Sequence, residues 1–158
     1  MVTVEVLKGF ELFKGLAEDN LATIAELCHP YAMHEGDRIF AEATKARDVH
    51  LCSSGKVDIL ILVGQPWNKN IAVHRAVPGE VFGWSALVEP YIYTASAKCL
   101  GKVEEIYIKG SDLMKLFEQS PHVGYVVMRN LSASVSSRLT ETREKLTKAI
   151  AAASNKDW

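Results

Sequence analysis

Cysteine is scarce in this chain. Cys28, Cys52 and Cys99 are odd in number, far apart, and never form a Cys-x-x-Cys pair. A disulfide scaffold is excluded, and the pattern is that of reduced thiols in a cytoplasmic protein. Long apolar runs are also missing. The longest, Ile59 to Val63, falls far short of the roughly 20 residues a membrane-spanning helix needs. The first residues, Met1-Val2-Thr3-Val4-Glu5, have neither the basic start nor the apolar core of a signal peptide. Positive charge is not in excess. Lys+Arg number 18 against 19 Asp+Glu, a net charge of −1, whereas a nucleic-acid binder normally carries a basic surplus. What is present is an ordinary globular balance, 48% apolar and 23% charged over 158 residues, enough for one domain with its own core.

Leu21, Ile24, Ala25 and Cys28 recur at helical spacing and predict a helix with one apolar face, closed by His29-Pro30. From Tyr31 to Ile108 the texture changes to short β-branched and aromatic runs. Turn residues separate them at Gly36-Asp37, Ser54-Gly55, Gly64-Gln65-Pro66, Pro78-Gly79 and Gly101-Lys102. A spacing of about 8–12 residues per strand is that of a sandwich or barrel. The clearest strand has Val57, Ile59, Ile61 and Val63 on one face and Leu60 and Leu62 on the other, which predicts burial on both sides. Helices then return, the first capped by Ser111 or Asp112. The second starts at Ser120-Pro121, with Ser as cap and Pro at the first helical position. The expected organisation is a single domain over 1–158, helical at 5–29, β over 30–109 and helical again over 111–152.

The last helix is apolar nearly all round at first, through Val123, Tyr125, Val126, Val127, Met128 and Leu131. Its stripe then narrows to Val135, Leu139, Leu146 and Ile150. Met128 and Val135 lie seven apart, as do Leu139 and Leu146, forming a heptad seam with a polar middle. A helix of about 30 residues cannot be wholly covered by so small a domain. A homodimer through Met128, Val135, Leu139 and Leu146 is therefore expected. The alternative is a stripe folded back on its own sandwich. Arg138, Arg143, Lys145 and Lys148 alternate with acids and read as a solvated face.

Four stretches, in order, resemble the cyclic nucleotide-binding domain family, the jelly-roll sensors of catabolite-activator-type regulators, kinase regulatory subunits and gated channels. Phe13-Lys14-Gly15-Leu16 followed by Leu21 to Leu27 is similar to the family's opening helix. Gly36-Asp37-Arg38-Ile39-Phe40 is similar to its G-[DE]-x-I-[FY] strand. Leu51 to Val57 resembles its L-x-x-x-G-x-V hairpin. Pro78-Gly79-Glu80-Val81-Phe82-Gly83-Trp84-Ser85-Ala86-Leu87 resembles P-G-[DE]-x-F-G-E-x-A-L, the start of the phosphate-binding cassette. The resemblance implies an α+β, mainly β fold: a double-stranded β-helix (jelly roll) flanked by N-terminal helices and a long C-terminal helix. One departure is local. The glycine usual in the turn after the Phe40 strand is replaced by Ala43-Thr44.

The resemblance assigns ligand binding to Phe82, Gly83, Trp84, Ser85, Ala86, Tyr93 and Thr94. Gly83 permits a close backbone turn, and Trp84 to Leu87 can make one helical turn with free N–H groups. In the family a carboxylate after this glycine reads the sugar and an arginine at the next strand pairs with the cyclic phosphate. Here Trp84 and Tyr93 occupy those places. Losing the arginine removes charge-assisted hydrogen bonds, about 2–4 kcal/mol in a sheltered pocket. Trp84, Tyr91 and Tyr93 gather aromatics instead. Three readings stand: a pocket re-specified for an apolar or aromatic ligand with Tyr93 and Thr94 hydroxyls as anchors, a vestigial pocket filled by Trp84, or weak cyclic-nucleotide binding through backbone N–H groups.

Metal chemistry has little support. His50 and Cys52 share a strand face, but His29, His34, His74 and His122 are scattered and Cys28 reads as a core residue of its helix. The His-x-His of jelly-roll metalloenzymes is missing, as is Gly-x-Ser-x-Gly. The sequence is thus that of a non-enzymatic sensor module without cofactor, metal, membrane or nucleic-acid partner. After Lys148 ten residues remain, 149–158, too few for a helix-turn-helix domain, so output is expected through a changed dimer or a protein effector. The rival reading is a ligand-free interaction module.

Overall fold

The computed structural model describes residues 1–154. Two short N-terminal helices, α1 (Val4–Leu7) and α2 (Glu18–Leu27), flank a 3-10 turn at Glu11–Phe13. Eight strands follow: β1 (Cys28–Met33), β2 (Arg38–Phe40), β3 (Asp48–Ser54), β4 (Val57–Val63), β5 (Lys69–Ala76), β6 (Val81–Phe82), β7 (Ser96–Cys99) and β8 (Val103–Lys109). A second 3-10 turn, Trp84–Leu87, sits between β6 and β7. Helices α3 (Gly110–Gln119) and α4 (Pro121–Ser154) complete the chain. The strands form two antiparallel four-stranded sheets in the orders β1-β8-β3-β6 and β2-β7-β4-β5. This is the expected jelly roll with helices at both ends.

Between the sheets lies a compact apolar layer of Met33, Cys52, Val57, Ala76, Phe82, Ala97, Cys99 and Val103. A larger core sits on the other face of the β8–β3 sheet. There Leu7, Phe13, Leu21 and Ile24 from the N-terminal helices meet Val49, Leu51, Ile106, Ile108, Leu113 and Val127. The N-terminal helices, α3 and the first half of α4 therefore make one layer. Gly110 is required at the start of α3, because a Cβ there would meet the Ala86 carbonyl oxygen at 2.5 Å.

Several boundaries differ from the sequence-based expectation. The helix predicted to run to residue 29 stops at Leu27, and Cys28–Met33 is strand β1. Pro30 is tolerated because β1 is an edge strand, where a missing N–H leaves no gap in the ladder. Cys28 opens that strand instead of facing the core from a helix, with its Sγ 3.3 Å from the Ile24 carbonyl oxygen. Strand β4 is not buried on both sides. β7 pairs with it only from Val57 to Leu60, while β5 continues to Val63, so Ile61 and Leu62 project beyond the sandwich and are exposed. The cap of α3 is Lys109, with no side-chain bond, and Ser111 and Asp112 lie inside the helix. Helix α4 does start at Pro121 and runs 34 residues, about 51 Å at 1.5 Å per residue. Of the apolar residues expected to cover its first third, Val123, Val126, Val127 and Leu131 are buried, whereas Tyr125 is exposed. Among the described residues no helix is long and apolar enough to cross a membrane.

Candidate functional site: a cavity between the cassette and the last helix

Strand β6 ends at Phe82 and the backbone turns at Gly83, whose φ is +69°. A Cβ at this position would meet the His50 ring at 2.8 Å and the Phe40 ring at 3.0 Å. The glycine is thus demanded by the packing beneath the turn. The 3-10 turn Trp84–Leu87 follows, with Ala86 and Leu87 buried in the larger core. Beside it lies a cavity of about 200 Å³ lined by residues of β2, β4, β5, the cassette and α4. Six of the seven expected ligand residues reach it: Phe82, Gly83, Trp84, Ser85, Tyr93 and Thr94. Ala86 does not. It is buried and faces a separate, more open cleft of about 920 Å³ on the far side of the turn. Tyr91 faces that cleft too, so the three expected aromatics do not converge on one cavity.

The Tyr93 hydroxyl is not a free anchor. Its ring stacks on Phe40 with centroids 3.8 Å apart, and the hydroxyl donates to the Asp48 carbonyl oxygen at 2.7 Å. Burial pushes the phenol up to about 12. A phenol has one proton, so the oxygen must accept from His50 Nε2, 3.2 Å away. His50 Nε2 therefore carries a hydrogen, and Nδ1 shares one more with Glu105 Oε2 at 2.9 Å. Both His50 and Glu105 are buried. This chain of hydrogen bonds ties the cassette's exit to strands β3 and β8. It also occupies both His50 nitrogens, while burial raises the neighbouring Cys52 thiol to about 11.

Residues from outside the cassette complete the site. His74 of β5 sits between two carboxylates, with Nδ1 at 2.7 Å from Glu141 and Nε2 at 2.9 Å from Glu80. Burial pushes the Glu80 carboxyl up. Hydrogen bonds from His74 and the Val77 N–H, with the charges of His74 and Arg138, outweigh it and leave the carboxyl below its usual range. At Glu141 the same balance holds, with His74 and Lys145 outweighing burial. Lys145 adds a bond from Nζ to the Val73 carbonyl oxygen at 2.8 Å. These contacts latch the middle of α4 to the sandwich.

Arg138 reads from sequence as part of a solvated face, yet its side chain is only 15% exposed. It lines the cavity, with its guanidinium 5.1 Å from the Trp84 ring centroid. Burial presses the guanidinium below its usual range, and the charges of Glu80, Glu141 and Glu11 oppose that. The Glu80 and Glu141 oxygens stand 4.0 Å from it, beyond hydrogen-bond reach. The spacing 138, 141, 145 on one helix side is a trace of this face, but nothing local distinguishes it from an exposed charged one.

The sequence profile of the cyclic nucleotide-binding domain matches residues 32–120, more than half of the chain. The chain belongs to that family. A protein of Geobacter metallireducens GS-15 described as cyclic nucleotide-binding superposes with a TM-score of 0.77 at 31% identity, over 88% of this chain and 99% of that one. The cyclic AMP receptor protein of Thermus thermophilus is 28% identical over 137 residues, 85% of this chain and 60% of that protein. The chain thus spans about 60% of that curated relative's length. A cyclic nucleotide-binding domain from Methylobacillus flagellatus KT has a TM-score of 0.80 at 14% identity, over 92% of this chain and 81% of that one, and shows the fold alone.

In this cyclic nucleotide-binding domain the four seam residues fall into two groups. Met128 is partly buried against the domain's own core. Val135, Leu139 and Leu146 are exposed, the last two at 55% and 58%. The side of α4 that meets the sandwich is polar, through Arg138, Glu141, Thr142 and Lys145. Its apolar stripe faces outward. Glu141 and Lys145, one helical turn apart on that side, pair at 3.3 Å.

Proposed function

We propose that this chain is a non-enzymatic, ligand-sensing regulatory module of the cyclic-nucleotide-binding type whose cassette no longer reads a cyclic nucleotide. One observation carries the reading. Tyr93 stands where the family's phosphate-binding arginine is expected, and its hydroxyl is committed to Asp48 and His50 instead of the cavity. Trp84, in the place of the sugar-binding carboxylate, supports it. So does a cavity of about 200 Å³, below the roughly 300–1,000 Å³ of pockets for drug-sized ligands. Occupancy would bear directly on α4, because Arg138 and Thr142 of that helix line the cavity. The exposed stripe of α4 supports pairing into a homodimer, and the three free thiols support a cytoplasmic setting. Output then passes through the dimer or a protein effector.

Isothermal titration with cyclic AMP and cyclic GMP tests the reading. Neither binds tighter than roughly 100 μM, about −5.5 kcal/mol. Low-micromolar affinity for either would overturn the re-specified cassette. The ligand-free alternative gains if no small molecule shifts the resonances of the cavity-lining residues.

A further inference from the structure

We infer that the cassette cavity takes a small organic anion, a single ring or short apolar body carrying one carboxylate or phosphate group, with the acid group held by Arg138 from α4. The inference rests on the ligand-sensing reading above and adds the ligand's chemistry. Among the described residues that line the cavity no acidic side chain occurs. The basic groups on its wall are Arg138 and His74, and Ser85, Thr94 and Thr142 add hydroxyls. The remaining wall is apolar, chiefly Phe40, Ile59, Ile61, Val73, Phe82 and Trp84.

The acids around Arg138 have their hydrogen bonds elsewhere. Glu80 takes His74 and the Val77 N–H. Glu141 takes His74 and Lys145. Glu11 takes the Ser134 hydroxyl and the Val81 N–H. Arg138 therefore has neighbouring charge but no hydrogen bond to its two nearest carboxylates, which stand at 4.0 Å. A guanidinium held on Trp84, largely out of water and on the wall of a cavity, is matched by a planar or tetrahedral oxyanion. The cavity is small, about 200 Å³, below the roughly 300–1,000 Å³ of pockets for drug-sized ligands. That suits one ring with one acid group and not a base, sugar and phosphate together. The arrangement moves the anion site from the cassette strand to the helix.

The test compares benzoate and phenyl phosphate with their neutral counterparts benzamide and benzyl alcohol, by amide NMR titration of the whole chain at about 150 mM NaCl, where weak surface pairing is screened. An anion is expected to bind at least about tenfold tighter than the neutral compounds, with shifts centred on Gly83, Trp84, Ser85 and the Arg138 side-chain N–H. In Arg138→Met, which keeps an apolar stem over Trp84, the anion-to-neutral ratio is expected to fall close to one. If the neutral compounds bind the wild-type cavity as well as the anions do, the inference fails while the ligand-sensing reading stands. If none of the four binds there, the inference fails and the ligand-free alternative gains. The wild-type comparison decides the matter even if the variant does not fold.

Discussion

Ala43 holds a φ of +66°, in the turn where the family resemblance leads one to expect glycine. Its N–H is fixed by the Tyr93 carbonyl oxygen at 2.8 Å, so the turn cannot relax away. An L-residue in the left-handed region costs about 1–2 kcal/mol, offset in part by the entropy a glycine loses on folding. Ala43→Gly is therefore expected to stabilise the domain by about 0.5–1 kcal/mol, seen as a higher denaturant midpoint at unchanged slope. The His50–Glu105 pair makes a second, opposite case. Glu105→Leu leaves a buried Nδ1 without its partner and should cost about 3–5 kcal/mol. Glu105→Gln should cost about 1 kcal/mol or less, because its amide can still donate to Nδ1 of a neutral ring. Equal losses in the two variants, measured by chemical denaturation, would show that shape and not the hydrogen bond matters there.

At the scale of elements, the feature to explain is how α4 is held after it leaves the core at about Ser134. Its contacts are polar: Glu141 on His74, Lys145 on the Val73 carbonyl, and Arg138 beside Trp84 and Glu80. Glu80 and Glu141 both have carboxyls lowered by folding. A lowered carboxyl contributes stability that is present above its unfolded value and is lost as pH falls through the folded one. The latch should therefore hold at neutral pH and loosen progressively below about pH 4.5, the ordinary value of both groups. Hydrogen exchange should then rise in residues 138–150 while β3 and β8 remain protected. His74→Ala should give the same local loosening at neutral pH, since it leaves two carboxylates facing each other without the ring between them. Exchange in 138–150 that ignores both acid and His74→Ala would place the hold on α4 elsewhere.

For the whole molecule, the outward stripe Val135, Leu139 and Leu146 sets the expected assembly. Burying one leucine side chain contributes about 1.5–3 kcal/mol, and a symmetric seam counts each substitution twice. Leu139→Asp places two carboxylates in that seam, where unpaired charge is costly. A folded monomer is the expected product, by sedimentation together with an unchanged circular-dichroism β signal. Phe82→Asp should instead unfold the domain, because Phe82 is fully buried between the sheets. A wild type already monomeric at about 100 μM, a concentration at which a micromolar dimer would be largely formed, would end the dimer reading.

Local sequence was enough for the order of helices, strands and helices and for the start of α4 at Pro121. The family resemblance of four motifs implied the jelly roll and the cassette turn. These depend on short-range signals: alternation, turn residues, a Pro at the first helical position, and motifs read in order. Local sequence misplaced the end of α2 and the burial of β4, because strand pairing decides both. Pro30 could join β1 only as an edge strand, and Ile61 and Leu62 are exposed only because β7 ends beside Leu60. In the site, Phe82 to Ser85, Tyr93 and Thr94 were legible from the cassette motif, but where the Tyr93 hydroxyl points was not. That depended on Asp48 and His50, more than 40 residues away in sequence. His74 and Arg138 were beyond reach for the same reason. Their roles arise where β5, the cassette and α4 converge, and a charge on a helix has the same local pattern whether it faces water or a cavity. Tertiary packing alone decided which side of α4 meets the sandwich, and with it which charges the cavity contains.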